Sequence, residues 1–413
     1  MFQGTSRRSW RGSAAANSSF DVMPKMTLLF ATASIRGLSY CNPRPPGCRL
    51  NAFAPARKRA FNSHSRRLRC SAVKERDLLA NSVVTPLQEH YLIAGAVCSV
   101  STNSELILDA ARDSFGVPVN DDAAVDARMR LWVDASARSQ PPWPAAHFRG
   151  MDHLVFAGFD SGNTVLVDLR RRRAVGRLSP AMAADRGYLR RVVFPTLFGI
   201  FTDVIAVTPM HCACVERDGR GLLLTGASGS GKSTLSLALS REGFDFLSDE
   251  WTYFSWREGR LLAWGLPSLL KLLPDARRHF PELAPIPPAL ALNGEVAYEV
   301  EPESVFGIRR SDRARPNWLV FLERHEAPVF SISQVSPTEA AAEFAEHVEY
   351  YAMHGLSEGR DLLEKTIQGL GRISCWRLQH GGHPANVARA LAEFLERKDV
   401  RGRSEVVFRR AEG

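Results

Sequence analysis

Apolar and polar positions fall into blocks from about residue 75 to 400, and the blocks predict an α/β chain. Residues 91–101, rich in small and β-branched types, predict one strand. Ser104 then caps a short helix whose apolar positions are Leu106, Leu108, Ala110 and Ala111. Strands follow at 129–133, 154–159 and 164–169, and the run from Arg170 to Arg173 predicts a solvated turn. Pro180 opens a helix expected to reach about residue 200. Strands at 204–207 and 212–216 lead through Asp218-Gly219-Arg220-Gly221, a hairpin turn, into an apolar strand at 222–225. Leu235, Ala238 and Leu239 then recur with helical spacing. A short apolar strand over 244–250 ends in Asp249 and Glu250, and Trp251 and Tyr253 share one face of the next. Strands at 318–322, 329–332 and 373–378, a helix from Ser336 with Pro337 at its first position, and an amphipathic helix over 384–397 complete the pattern.

Length and charge change this picture at its ends. At roughly 150 residues per domain, 413 residues make two or three units. The divisions expected are a basic tail (1–74), an α/β N-terminal region (75–195), a catalytic-type core (196–400) and a C-terminal tail (401–413). The net charge of +9 raises a nucleic-acid reading. Residues 1–74, however, hold 14 Lys and Arg against the single acid Asp21, so the tail is +13 and the remainder −4. No nucleic-acid partner is expected for the body, and no membrane span, since no run approaches the ~20 apolar residues one requires. Three readings of the tail stay open. It is an organelle transit peptide with Arg67-Leu68-Arg69-Cys70-Ser71-Ala72 as cleavage region, or a misassigned start ahead of Met23 or Met26, or a true basic arm. The cytoplasm is the expected compartment, an organelle if the tail is a transit peptide. Cys98, Cys212, Cys214 and Cys375 are too scattered for a disulfide framework.

The chemistry is concentrated within 25 residues. Gly226, Ala227, Ser228, Gly229, Ser230, Gly231, Lys232 and Ser233 match G-x-x-x-x-G-K-[ST] in full, with Thr234 following, in the required strand–loop–helix context. Glycines let the backbone take turns that a Cβ obstructs, so successive N–H groups converge on an anion. Lys232 adds a point charge for the β- and γ-phosphates of ATP, and the Ser233 hydroxyl suits Mg²⁺. Only 16 residues separate Ser233 from Asp249. Loop, helix and strand fill that gap, placing the two acids at the C-terminal edge of a neighbouring strand, beside the phosphates. Phosphoryl transfer to a hydroxyl needs a metal-holding carboxylate and a base, and adjacent acids supply both. His211-Cys212-Ala213-Cys214 has the residue types of a metal site, but strand alternation sends His211 and the cysteines to opposite faces, which favours packing. His380 and His383 flank a Gly-Gly turn that a loop and helix cap explain.

The run His211, hairpin, Gly226 to Ser233, Arg241-Glu242-Gly243-Phe244 and Asp249-Glu250 resembles the HPr serine kinase/phosphorylase superfamily over roughly 204–275. The resemblance implies a P-loop kinase core similar to phosphoenolpyruvate carboxykinase. It implies ATP and Mg²⁺, a protein or peptide serine as phosphoacceptor, and self-assembly. It makes Asp249 the base, Lys232 the phosphate-binding cation, Ser233 and Glu250 the metal residues, and His211 a residue near the active site. Arg309 or Arg310 stands for a later family arginine, and Lys271 is a candidate to face the nucleotide. Thr234 occupies a position where the bifunctional enzymes commonly carry Glu, and their later glycine-rich signature is absent. These departures bear on phosphorolysis and on HPr as the substrate. A small-molecule P-loop kinase and a nucleotide-binding module or ATPase remain the alternatives. A transporter ATPase is disfavoured, because its acidic strand would lie much further from the loop.

Overall fold

A computed structural model describes residues 83–120, 124–291, 294–346 and 358–408. The basic tail and its cleavage signal lie outside the described residues.

The first sheet contains β1 (Leu87–Ile93), β2 (Ala96–Thr102), β3 (Ala127–Val133), β4 (His147–Met151), β5 (Leu154–Gly158), β6 (Thr164–Asp168) and β7 (Arg173–Leu178), in the order β1-β2-β3-β7-β6-β5-β4. The single strand expected over 91–101 is a hairpin. Ala94 and Gly95 both take positive φ and turn the chain back on itself, so Ile93 pairs with Ala96. Small apolar residues run through the turn, which hid it from the hydropathy pattern. Helix α1 (Glu105–Phe115) buries Ile107, Leu108, Ala110 and Ala111 and leaves Leu106 half exposed; Ser104 is its N-cap without a side-chain hydrogen bond.

The long helix expected from Pro180 is broken into α2 (Pro180–Ala184), α3 (Arg186–Tyr188), a π-helical turn (Leu189–Val193) and α4 (Phe194–Phe201). Asp185 causes the break: its carboxylate accepts from the Tyr188 amide and caps a new start. Phe194, Leu197, Phe198 and Phe201 of α4 are buried with α1 and the first sheet. A boundary at 195/196 therefore cuts through a helix that belongs to the first core.

The second unit begins with β8 (Val207–Met210), β9 (Ala213–Arg217) and β10 (Arg220–Thr225), then α5 (Lys232–Arg241), β11 (Asp245–Ser248), β12 (Thr252–Arg257) and β13 (Arg260–Trp264). A small three-stranded sheet follows from β14 (Leu270–Leu272), β15 (Ala289–Leu290) and β16 (Val296–Val300), then α6 (Pro302–Phe306). The chain closes with β17 (Arg313–Arg324), β18 (Phe330–Gln334), α7 (Pro337–Glu346), α8 (Glu358–Gly371), β19 (Ser374–His380) and α9 (Pro384–Phe408), which outruns the helix expected to end at 397. β8 starts three residues later than the strand expected at 204, because 202–204 form a 3₁₀ turn.

The central strands run β11-β9-β10-β17, with β19 on the far edge of β17. β10, β17 and β19 are parallel, and β9 is antiparallel to both β10 and β11. Helices α5 and α9 cover one face through Leu235, Leu239, Val387 and Leu391, and α7 and α8 cover the other through Ala340, Leu363 and Leu370. Burial on both faces is why Leu222, Leu223 and Leu224 are consecutively apolar. Tyr253 and Trp264 of the second unit lie inside the first unit's core, and the Arg257 guanidinium donates to the Gly95 carbonyl. Each such buried aromatic contributes about 2–3 kcal/mol, so the two units are expected to unfold together.

Gly265 supports the end of β11. A Cβ there would run into the Leu247 carbonyl, two residues before Asp249. Backbone cannot yield as a flexible side chain does, so Gly265→Ala is expected to lose about 2 kcal/mol or more of stability. Urea unfolding measures it; an unchanged midpoint would contradict the packing described.

Candidate active site

The phosphate loop leaves the C-terminal end of β10 and enters α5 at Lys232. Gly226 takes φ +145° and Gly231 takes φ +95° as the left-handed N-cap of α5. A Cβ on Gly226 would stand 2.7 Å from the Leu322 carbonyl oxygen of β17, so only glycine lets the loop begin this close to the sheet. Ser228 and Gly229 are exposed at the crest, and the Ser230 and Thr225 hydroxyls are buried without a partner among the described residues. The Lys232 Nζ donates to the carbonyls of Gly226 (2.8 Å) and Ala227 (3.2 Å), folding back across the loop. Burial lowers its pKa, opposed by Cys212, Glu250 and Asp249. A cradle with an ammonium group at its base and glycines at its turns fits the phosphates of a nucleotide.

Asp249 and Glu250 follow β11 at the same edge of the sheet as the loop, as the spacing predicts. They are not on a hydrogen-bonded neighbour of β10: β9, the incoming arm of the hairpin, lies between. Asp249 is buried. Its Oδ2 accepts from the Lys271 backbone amide at 3.1 Å, and the Ser233 side chain lies near enough to add a small lowering influence on its pKa. Burial pushes its pKa up to about 6, against the hydrogen bonds and the charge of Arg310. Glu250 is pushed up to about 7 by burial and then by Asp249, with Lys271 and Lys232 opposing. Hydroxyl and carboxylate oxygens suit a hard cation, so Ser233, Asp249 and Glu250 fit Mg²⁺, whose charge would draw both acids back toward ionisation.

Two cavities open on this edge. A cleft of about 830 Å³ runs along the outer side of the loop, from Ala227 to Gly231 with Thr234 and Leu235, toward His279, Arg324 and His380. It has the size of an ordinary cofactor or ligand pocket. A smaller cavity of about 110 Å³ lies on the acid side and includes Asp249, Glu250, Trp251, Tyr253 and Lys271.

The structure brings Lys232, Ser233, Asp249 and Glu250 together. The His211 ring packs at 5.7 Å against Trp251, a wall residue of the smaller cavity, and does not itself line either cavity. Cys212 and Cys214 are fully buried in the core. Lys271 acts on Asp249 through its backbone, while its Nζ pairs with Glu295 at 2.7 Å. Of the two arginines, Arg309 is exposed and pairs with Asp245, whereas Arg310 donates to the Leu266 and Ser268 carbonyls at the rim of the smaller cavity.

The sequence pattern puts His380 in a turn. It closes β19, is buried, and its Nε2 lies 2.9 Å from the Ser230 carbonyl. A carbonyl only accepts, so Nε2 carries the proton. Burial lowers the His380 pKa, which keeps the ring neutral at neutral pH. Arg190 and Arg191, from the first unit, also line the smaller cavity. Nothing in their local pattern marks them, because only tertiary packing brings them to the acids.

Neither a protein-family model nor a curated protein sequence matches the chain. Among solved structures the chain is similar to the Hpr(Ser) kinase/phosphatase from Coxiella burnetii, at 13% identity over 50% of this chain and 98% of that one, with a TM-score of 0.28. At that score no residue role follows from the likeness. The mixed α/β architecture with parallel strands rests on the strand pairings above. Among the described residues no helix is long and apolar enough to cross a membrane.

The raised pKa of Asp249 has a stability consequence. The folded state holds this proton more tightly than the unfolded chain, whose carboxyl titrates near 3.8. The charge therefore costs stability as pH rises from about 4 through about 6, and fully above. Asp249→Asn is expected to be more stable than the parent at pH 8 by on the order of 2 kcal/mol, with the gain gone near pH 4. Thermal unfolding across pH checks this; no gain at pH 8 would contradict the burial of the charge.

Proposed function

We propose that the protein is an ATP-dependent phosphotransferase that moves the γ-phosphate of ATP to a hydroxyl group. The observation that carries this reading is the buried Asp249 carboxylate close to Lys232 and Ser233, at the first turn of the helix that follows the phosphate loop. A base stands where the γ-phosphate of a loop-bound nucleotide would meet an acceptor.

The loop amides and Lys232 hold the phosphates, and Ser233 with Glu250 would hold Mg²⁺, which supplies charge neutralisation on the phosphate oxygens. The acceptor hydroxyl loses its proton to Asp249 while its oxygen bonds to the γ-phosphorus. The bond from that phosphorus to the β–γ bridging oxygen breaks, and ADP leaves with the electron pair. A carboxyl titrating near 6 is a base in the useful range at neutral pH. His380 fixes the loop through the Ser230 carbonyl and moves no proton in this scheme.

The acceptor implied by the family resemblance is a serine of a protein or peptide. A small hydroxyl compound is the second reading, and the limited volume beside Asp249 favours it.

Labelled ATP separates the outcomes. Phosphate transfer into an acceptor fraction is expected, with kcat lowered about 10²–10⁴-fold in Asp249→Asn. ATP binding is expected to be lost in Lys232→Met. Rates should rise with pH through the Asp249 ionisation and flatten above it. Tight ATP binding with no phosphorylated product in any fraction would replace this reading with a nucleotide-binding module. Transfer undiminished in Asp249→Asn would remove Asp249 as base.

A further inference from the structure

The smaller cavity is walled by both units. Asp249, Glu250 and Lys271 come from the second, and Arg190, Arg191 and Pro195 from the first. The two arginines sit on the π-helical turn at Leu189–Val193, whose Leu189, Val192 and Val193 are buried in the first core. Such wide turns occur mostly as single insertions and often at functional sites. Here the turn places two consecutive arginines in the wall of the cavity that Asp249 and Glu250 also line.

Neither guanidinium is fully used. Arg190 pairs with Glu301 through Nη1 and donates through Nη2 to the Pro267 carbonyl at 2.9 Å. Its Nε is buried with no partner among the described residues. Arg191 donates from Nε to the Gly187 carbonyl at 3.2 Å and from Nη1 to Glu299 at 3.1 Å. A guanidinium has five N–H donors. A buried donor left unmade costs about 1–3 kcal/mol, which a ligand acceptor recovers. A carboxylate is the acceptor that the N–H groups left over on the two guanidinium groups would bind most strongly.

Size limits the rest of the ligand. A volume of about 110 Å³ equals about four water molecules at their liquid share of roughly 30 Å³. Apolar groups at Pro195, Tyr253 and Leu266 alternate with charged groups and with Ser114, Ser268 and Glu299, and at this volume they suit a compact polar ligand rather than an extended chain. We propose that this cavity binds the acceptor, and that the acceptor is a small hydroxy-carboxylate. Its carboxylate would lie on Arg190 and Arg191 and its hydroxyl at Asp249. This rests on the phosphotransferase reading above and narrows its substrate class.

The test uses the purified full chain with Mg²⁺ and ATP, with ADP release and the mass of the product as readouts. The probes are L-serine, L-homoserine and D-glycerate as hydroxy-carboxylates, glycerol and ethanolamine as hydroxyls without a carboxylate, and a serine peptide blocked at both ends. Phosphorylation of at least one hydroxy-carboxylate is expected, at a kcat/KM at least about 100-fold above glycerol, as loss of a charged hydrogen-bond pair implies. Arg191→Gln is expected to raise KM for that acid about 10–100-fold with KM for ATP unchanged. Arg191→Lys, which keeps the charge, guards against a folding defect and is expected to recover part of the loss. Equal use of glycerol, or phosphorylation of the blocked peptide in preference to the acids, overturns this inference and leaves the phosphotransferase intact. Nucleotide binding with no transfer to any probe or to a lysate overturns both.

Discussion

Everything at the site depends on two carboxylates, one buried and one partly buried, beside a glycine-rich loop. A buried carboxylate is costly unless a cation or hydrogen bonds meet it. Asp249 meets that condition in part, with the Lys271 amide, and its pKa stays raised toward neutrality. Glu250 meets less of it and is raised further. The shortfall is a charge that a metal-bound nucleotide would bring, since the acids lie on one side of the loop and its N–H donors on the other.

The sheet sets the geometry for this pairing. β10 and β11 run in the same direction because β9 returns between them, so the loop and the acids emerge at one edge. β17 backs the loop through the Leu322 carbonyl against Gly226, and β19 delivers His380 to the Ser230 carbonyl. The loop is therefore fixed by its sheet neighbours rather than by local turn chemistry alone. The first unit completes the edge. Tyr253 and Trp264 anchor it in a shared core, and Arg190 and Arg191 reach the ion partners Glu301 and Glu299 across the contact.

Local chemistry was legible in the sequence, and tertiary placement was not. Gly226 to Ser233 and the Asp249–Glu250 pair could be read because a glycine pattern, a lysine and a strand-ending acid pair are local signals. The hairpin turn at Ala94 and Gly95 was hidden because its residues are as apolar as the strands they join. The helix from Pro180 was drawn too long because Asp185 reads as one polar residue in an apolar stretch until its capping of Tyr188 is seen. The resemblance sets His211 near the site, and the chain packs its ring onto Trp251 at the wall of the smaller cavity. The position of Arg190, Arg191 and His380 at this edge comes from strand order and from the packing of one unit on the other.

The most direct test of the central claim is a proton count. Calorimetric titration with Mg²⁺ and ATP at pH 6.5, in two buffers of different ionisation enthalpy, measures the protons exchanged on binding. If Asp249 and Glu250 are partly protonated because they are buried, binding should release on the order of one proton per site, as ligation of protonated groups does. That release should disappear when both acids are replaced by their amides. Binding of the metal nucleotide with the same proton balance in the parent and in Asp249→Asn with Glu250→Gln would contradict the account.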